Sequence, residues 1–130
     1  MIYVDTSALL KLVLPEPESA AVDAYAADAV LVSSNLLVVE ARRGTLRRSP
    51  LRLPRLDIVL TRVEMIEMSP AVIESASRLP DPMLRSLDAI HLATALLVRD
   101  DLDALVTYDD RLATAAASHG LTVESPGLTS

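Results

Sequence analysis

Met1-Ile-Tyr-Val-Asp-Thr-Ser-Ala-Leu-Leu10 opens the chain with three apolar or β-preferring residues, Ile2, Tyr3 and Val4, running directly into Asp5. Thr6 and Ser7 then open an apolar stretch of helical length, the pattern of a strand that ends where a helix begins. Such a junction puts a carboxylate at the C-terminal tip of the first strand, and in an open α/β sheet that rim is where ligands bind. Asp is also a good helix N-cap, so Asp5 alone carries little functional weight. The functional argument depends on other carboxylates, distant in sequence, reaching the same rim.

Following the chain outward from that stretch, strands and helices alternate. A helix over residues 6–14 is stopped by Pro15-Glu16-Pro17, and Pro17 suits the first position of a second helix over 17–28, with Val22, Tyr25 and Ala26 on one side. Residues 29–33 suit a short buried strand, and Ser34 or Asn35 caps a helix from Leu36. Gly44 and Pro50 mark a less regular section, followed by a helix over 54–60 and a strand over 63–67. Ser69-Pro70 begins a helix to about residue 79. Ser86 caps an almost entirely apolar helix over 87–98, residues 104–106 form a fourth strand, and a helix over 110–118 closes at Gly120 before a last strand at 121–123. This order predicts one domain spanning 1–130, a three-layer α/β/α sandwich around a mostly parallel sheet of four or five strands.

The composition narrows the function. The chain has 130 residues, enough for a domain that buries roughly two-thirds of its unfolded surface. It contains no Cys, which removes disulfides and thiolate metal sites. No uninterrupted apolar run is long enough to span a bilayer and no basic leader precedes the first strand, so a soluble cytoplasmic protein is expected. Three Tyr are the only aromatics, too few for base-stacking platforms. Net charge is −6, yet seven of the twelve basic residues, all Arg, lie between Arg42 and Arg62, where Asp57 is the only acid. Arg42, Arg43, Arg47 and Arg48 are therefore candidates for phosphate contact, with a solvated helix face as the plain alternative.

Four carboxylates, Asp5, Glu40, Asp88 and Asp109, each fall just after a predicted strand or early in a predicted helix. Glu40 follows four apolar residues inside a stripe that should be buried, where a carboxylate needs a partner or a metal. Acids gathered in one cleft raise each other's pKa unless a cation compensates, and an all-oxygen set favours Mg²⁺ or Mn²⁺ over Zn²⁺. His91, one turn after Asp88 on an apolar helix, reads as a packed, hydrogen-bonded histidine. Leu9, Leu10, Leu12, Val13 and Tyr25 read as core, with a groove for a partner helix as the other option.

Val4-Asp-Thr-Ser-Ala-Leu9, Val38-Val-Glu-Ala41, Leu87-Asp-Ala-Ile-His-Leu-Ala-Thr-Ala-Leu96 and Val106-Thr-Tyr-Asp-Asp-Arg-Leu112 together resemble the four motif blocks of PIN domains, above all the VapC-type toxins of bacterial toxin–antitoxin pairs. The resemblance implies a metal-dependent endoribonuclease, a homodimer, neutralised by a small antitoxin. Carried over by position, it makes Asp5 and Asp88 the main Mg²⁺ or Mn²⁺ ligands, with Glu40 and Asp109 ligating directly or through water. Ser7 and Thr107 would orient the carboxylates, and Asp110 competes with Asp109 for the last place. Metal-activated water would attack a phosphodiester in line, leaving a 5′-phosphate and a 3′-hydroxyl. The alternatives are a catalytically silent PIN-like interaction module and a housekeeping ribonuclease without an antitoxin. A receiver domain would need a Lys late in the chain, where the only Lys is Lys11, and a haloacid-dehalogenase-type phosphatase would need Asp where Ser7 stands.

Overall fold

The computed structural model describes residues 1–128. Five strands form one sheet in the order β3-β2-β1-β4-β5: β1 (Ile2–Val4), β2 (Leu31–Ser34), β3 (Val63–Ile66), β4 (Ala104–Val106) and β5 (Val123–Glu124). Every pairing is parallel. All strand C-termini therefore share one rim. The chain turns from one half of the sheet to the other between β1 and β4, so the expected switch point is present and Asp5 stands beside it.

Side-chain alternation along each strand separates two cores. Ile2, Val4, Leu31, Val63 and Val106 pack beneath α1 (Thr6–Val13), α2 (Ser19–Ala26), α3 (Leu36–Arg48) and α4 (Leu53–Leu60). Tyr3, Val32 and Leu105 point the other way, against α6 (Ser86–Leu97) and α7 (Asp110–Ser118). Between α4 and α6, α5 (Pro70–Ser77) packs along α6. With only Tyr for aromatics, the filling is aliphatic; Leu9, Leu37 and Leu56 have no exposed surface. Each contributes roughly 1.5–3 kcal/mol by leaving water. No described helix is long and apolar enough to cross a membrane.

Several local expectations are corrected. Pro17 lies two residues before α2, and Tyr25 is 38% exposed while Val22 and Ala26 form the buried side. Gly44 does not break α3, which continues to Arg48. It is buried against α1, where an added Cβ would meet only Leu10 Cδ1, at 3.4 Å. Asn35 precedes α3 without a side-chain cap; Ser34 Oγ accepts from Leu36 N–H instead. Ser86 begins α6 but does not cap it, because Arg85 holds the cap position with no side-chain bond. The last strand falls at Val123–Glu124, two residues later than the apolar pattern places it. Ser69 caps α5 through Val72 N–H and Gly120 takes a positive φ after α7, both as read from sequence. Leu9, Leu12 and Val13 are core, with Leu10 packed at its edge.

Candidate active site

Asp5 ends β1 and is the N-cap of α1, its Oδ1 accepting from Ala8 N–H at 3.0 Å. The capping reading is therefore correct, but it does not exhaust the residue. Ser7 Oγ donates to Oδ1 at 2.7 Å and Thr107 Oγ1, beyond the end of β4, donates to Oδ2 at 2.6 Å. Three donors fill three of the roughly four lone-pair directions of a carboxylate, leaving one on Oδ2. Asp5 is 3% exposed, and burial raises its carboxyl pKa above the ordinary value against the pull of those three bonds.

Asp109 is the N-cap of α7: Oδ1 accepts from Leu112 N–H at 2.8 Å, and its own N–H donates to Thr107 Oγ1. Thr107 thus ties the two acids together from the switch point. Asp110, the competing residue, is exposed in the first turn of α7 and lines a separate apolar cleft of about 510 Å³ with Met83 and Leu84. Asp109, not Asp110, is the residue joined to Asp5 through Thr107.

Glu40 lies in the second turn of α3, half-buried, and is not unpartnered. Its Oε1 accepts from Thr6 Oγ1 and meets His91 Nε2, each at 2.7 Å. His91 is the buried, hydrogen-bonded histidine expected from sequence, at 1% exposure. The partner demanded for Glu40 is thus present inside the protein. Thr6 and the Glu40–His91 link are functional neighbours that sequence reasoning missed; a carboxylate in an apolar stripe facing a histidine in another was the available signal.

Asp88, in the first turn of α6, differs from the other three. Its carboxylate accepts no hydrogen bond among the described residues. Burial first, then the charges of Asp109, Asp5 and Glu40, push its pKa from 3.8 up to about 6, with His91 pulling the other way. Asp88 therefore lies within electrostatic reach of all three other acids. The N-termini of α1, α6 and α7 lie at the same rim and offer partial positive charge to the cluster.

No three acid or imidazole groups among the described residues stand close enough to form a finished metal cage. The donor set nevertheless fits a hard cation: one lone pair of Asp5 Oδ2, the free oxygens of Glu40 and Asp109, and both oxygens of Asp88. Mg²⁺ characteristically keeps several waters and takes only one or two carboxylates directly.

The arginines divide. Arg42 pairs with Asp57 and Arg48 with Glu16, Arg55 Nε donates to the Leu12 carbonyl and Arg62 to that of Ala26. Arg43 and Arg47 are exposed and form no ion pair among the described residues.

The PIN domain family model matches residues 2–118, and the chain belongs to that family. Among its relatives, Ribonuclease VapC35 of Mycobacterium tuberculosis is 43% identical over 132 residues, covering 98% of each chain. A toxin–antitoxin complex from Klebsiella pneumoniae aligns with a TM-score of 0.68 at 26% identity, over 84% of this chain and 87% of that one. Mycobacterium tuberculosis VapC20, described as a Sarcin-Ricin loop cleaving toxin, gives a TM-score of 0.72 at 19% identity, over 97% and 100% of the chains, and attests the fold.

Proposed function

We propose that this protein is a Mg²⁺- or Mn²⁺-dependent endoribonuclease, the toxin of a toxin–antitoxin pair. The observation that carries the reading is Asp88: a half-buried carboxylate without a hydrogen-bond donor, facing three other acids from three other segments. Such an arrangement is costly unless a cation uses it. Its near relatives bear the name Ribonuclease VapC, and a solved relative is a toxin–antitoxin complex.

Asp5, Glu40, Asp88 and Asp109 would hold the ion, which when bound supplies a Lewis acid to activate water and neutralise charge on the phosphoryl and leaving oxygens. The chain's own residues position. Ser7 and Thr107 fix the Asp5 carboxylate, so that only one lone pair is presented. Thr107 also holds the backbone of Asp109. Exposed Arg43 and Arg47, one helix turn apart on α3, extend from Glu40 toward solvent and suit RNA phosphates. No side-chain base is needed for in-line attack, and a 5′-phosphate and 3′-hydroxyl result. A small antitoxin as inhibitor, a homodimeric state and a cytoplasmic site of action complete the proposal.

Purified protein should cleave structured RNA with Mg²⁺ or Mn²⁺ and stop in EDTA, and Asp5→Asn should lose activity with an unchanged circular-dichroism spectrum. Cleavage that survives chelation would exclude the mechanism. Growth arrest on expression, relieved by a small co-expressed protein encoded alongside, separates a toxin from a housekeeping ribonuclease; Mn²⁺ titration without binding would leave only an interaction module.

A further inference from the structure

Beneath the acids a line of buried polar groups connects β2, β1, α6 and α3. Ser34 N–H donates to Tyr3 Oη at 3.1 Å, Tyr3 Oη meets His91 Nδ1 at 2.7 Å, and His91 Nε2 meets Glu40 Oε1 at 2.7 Å. Tyr3 is fully buried and packs edge-on against the imidazole, ring centroids 5.8 Å apart at 80°. At neutral pH a phenol carries its proton, so Tyr3 Oη both accepts, from Ser34 N–H, and donates. A carboxylate offers only lone pairs, so Nε2 carries a proton toward Glu40, and Nδ1 is left to accept the phenol O–H of Tyr3.

Thr6 Oγ1 and His91 both address the same oxygen of Glu40, Oε1. Oε2 takes no hydrogen bond among the described residues. Two donors on one oxygen fix the carboxylate and restrict the rotamers a half-exposed Glu would otherwise sample.

We propose that His91, locked in its Nε2–H tautomer by Tyr3, is a positioning residue that holds Glu40 with Oε2 turned out for a divalent cation. The inference rests on the metal-dependent reading above. Groups that orient a ligating carboxylate in this way typically change metal affinity 10- to 100-fold.

The test uses the full chain and Mn²⁺ alone, its affinity measured by calorimetry and by the paramagnetic resonance of free Mn²⁺. His91→Leu should weaken binding about 10- to 100-fold, while His91→Gln, whose amide N–H can stand in for Nε2–H, should recover to within about threefold of wild type. In a Glu40→Ala background His91→Leu should cause no further loss. Equal affinity of His91→Leu and wild type, or a further loss in the Glu40→Ala background, overturns the proposal. The tautomer needs no variant: with only two histidines in the chain, ¹⁵N-imidazole spectra of the wild type should show one neutral ring protonated at Nε2 and coupled through Nδ1 to a hydroxyl proton. A His91 protonated at Nδ1 overturns it even if a substituted chain fails to fold. Wild type that binds no Mn²⁺ brings down the metal reading itself, whereas binding that Asp5→Asn weakens but His91→Leu does not brings down the positioning role alone.

Discussion

Asp5 and Asp88 stand at the same rim, and the fold treats them in opposite ways. Asp5 is 3% exposed and carries three hydrogen bonds, one of which starts α1 and another of which ties β1 to the chain beyond β4. Asp88 is half-buried, caps nothing through a bond, and has a pKa lifted to about 6 by burial and by its acidic neighbours. The first acid is part of what makes the switch point rigid. The second is an electrostatic cost that the proposed cation would offset.

The largest effect expected is shared by the two. Asn at either position should lower kcat/KM by about a thousandfold, the equivalent of the several kcal/mol a Lewis-acid ion supplies. Steady-state cleavage of a structured RNA in saturating Mn²⁺ checks it; near-wild-type activity of Asp88→Asn would break the symmetry between the two acids and leave Asp88 a mere irritant.

Stability should separate them. Asp5→Ala orphans the Ala8 N–H and the hydroxyls of Ser7 and Thr107, costing about 3 kcal/mol and lowering Tm by roughly 10 °C. Asp88→Ala removes no hydrogen bond and relieves repulsion, so Tm measured in EDTA at neutral pH should rise by about 3 °C. The pH dependence has a definite sign. Native Asp88 holds its proton up to about pH 6, whereas the unfolded residue loses it near 3.8, so wild-type stability falls as pH rises through that window and is level above it. The gain from Asp88→Ala should accordingly be present above pH 6 and vanish below the unfolded value. Thermal melts across pH 3.5–7.5, spanning the 3.8-to-6 window, test this, and a gain of equal size at both ends would assign the effect to helix propensity instead. Mn²⁺ should favour wild type in the same assay and lose its stabilising effect as pH falls through 6, because protonated Asp88 cannot ligate.

A smaller effect is expected away from both acids. Arg43→Ala with Arg47→Ala removes the two unpaired arginines of α3 and should weaken RNA binding in all sequences while reducing the salt slope by about 2. Retention of the full slope in filter-binding titrations would return these residues to a solvated face.

How far the sequence revealed this arrangement differs from residue to residue. The fold was legible because β1, β2 and β4 carry short apolar runs and helix punctuation is sharp at Asp5, Ser69 and Gly120. Gly44 misled because a helix-breaking propensity of about 1 kcal/mol is easily overridden by tertiary packing, here the burial of α3 in the same core as α1. Ser86 misled because an oxygen at the right position is necessary for a cap but does not make the bond, whereas of the two caps read before α3 it is Ser34 that bonds, accepting from Leu36 N–H. At the site, each acid was visible as a residue type in an exceptional place. The bond between Glu40 and His91 was not, since they lie 51 positions apart on helices that pack into opposite cores of the sheet.

Gly44→Ala is the smallest change expected and the cleanest control on the contrast between Asp5 and Asp88. The new Cβ would sit 3.4 Å from Leu10 Cδ1, an ordinary contact with the end of a flexible side chain, and Gly44 has no positive φ that only glycine would favour. Replacing glycine inside a helix then stabilises by roughly 0.5–1 kcal/mol, so Tm should rise by about 3 °C. Gly44 lies one helix turn beyond Glu40 on α3 and its Cβ would face α1, the helix that Asp5 caps. Unchanged Mn²⁺ affinity would show that overall stability can move while the acid cluster stays still, which makes the opposite shifts at Asp5 and Asp88 properties of those carboxylates. A weakened affinity would instead reveal that the α1–α3 spacing sets the distance between Asp5 and Glu40, and would move part of the contrast from electrostatics to helix packing.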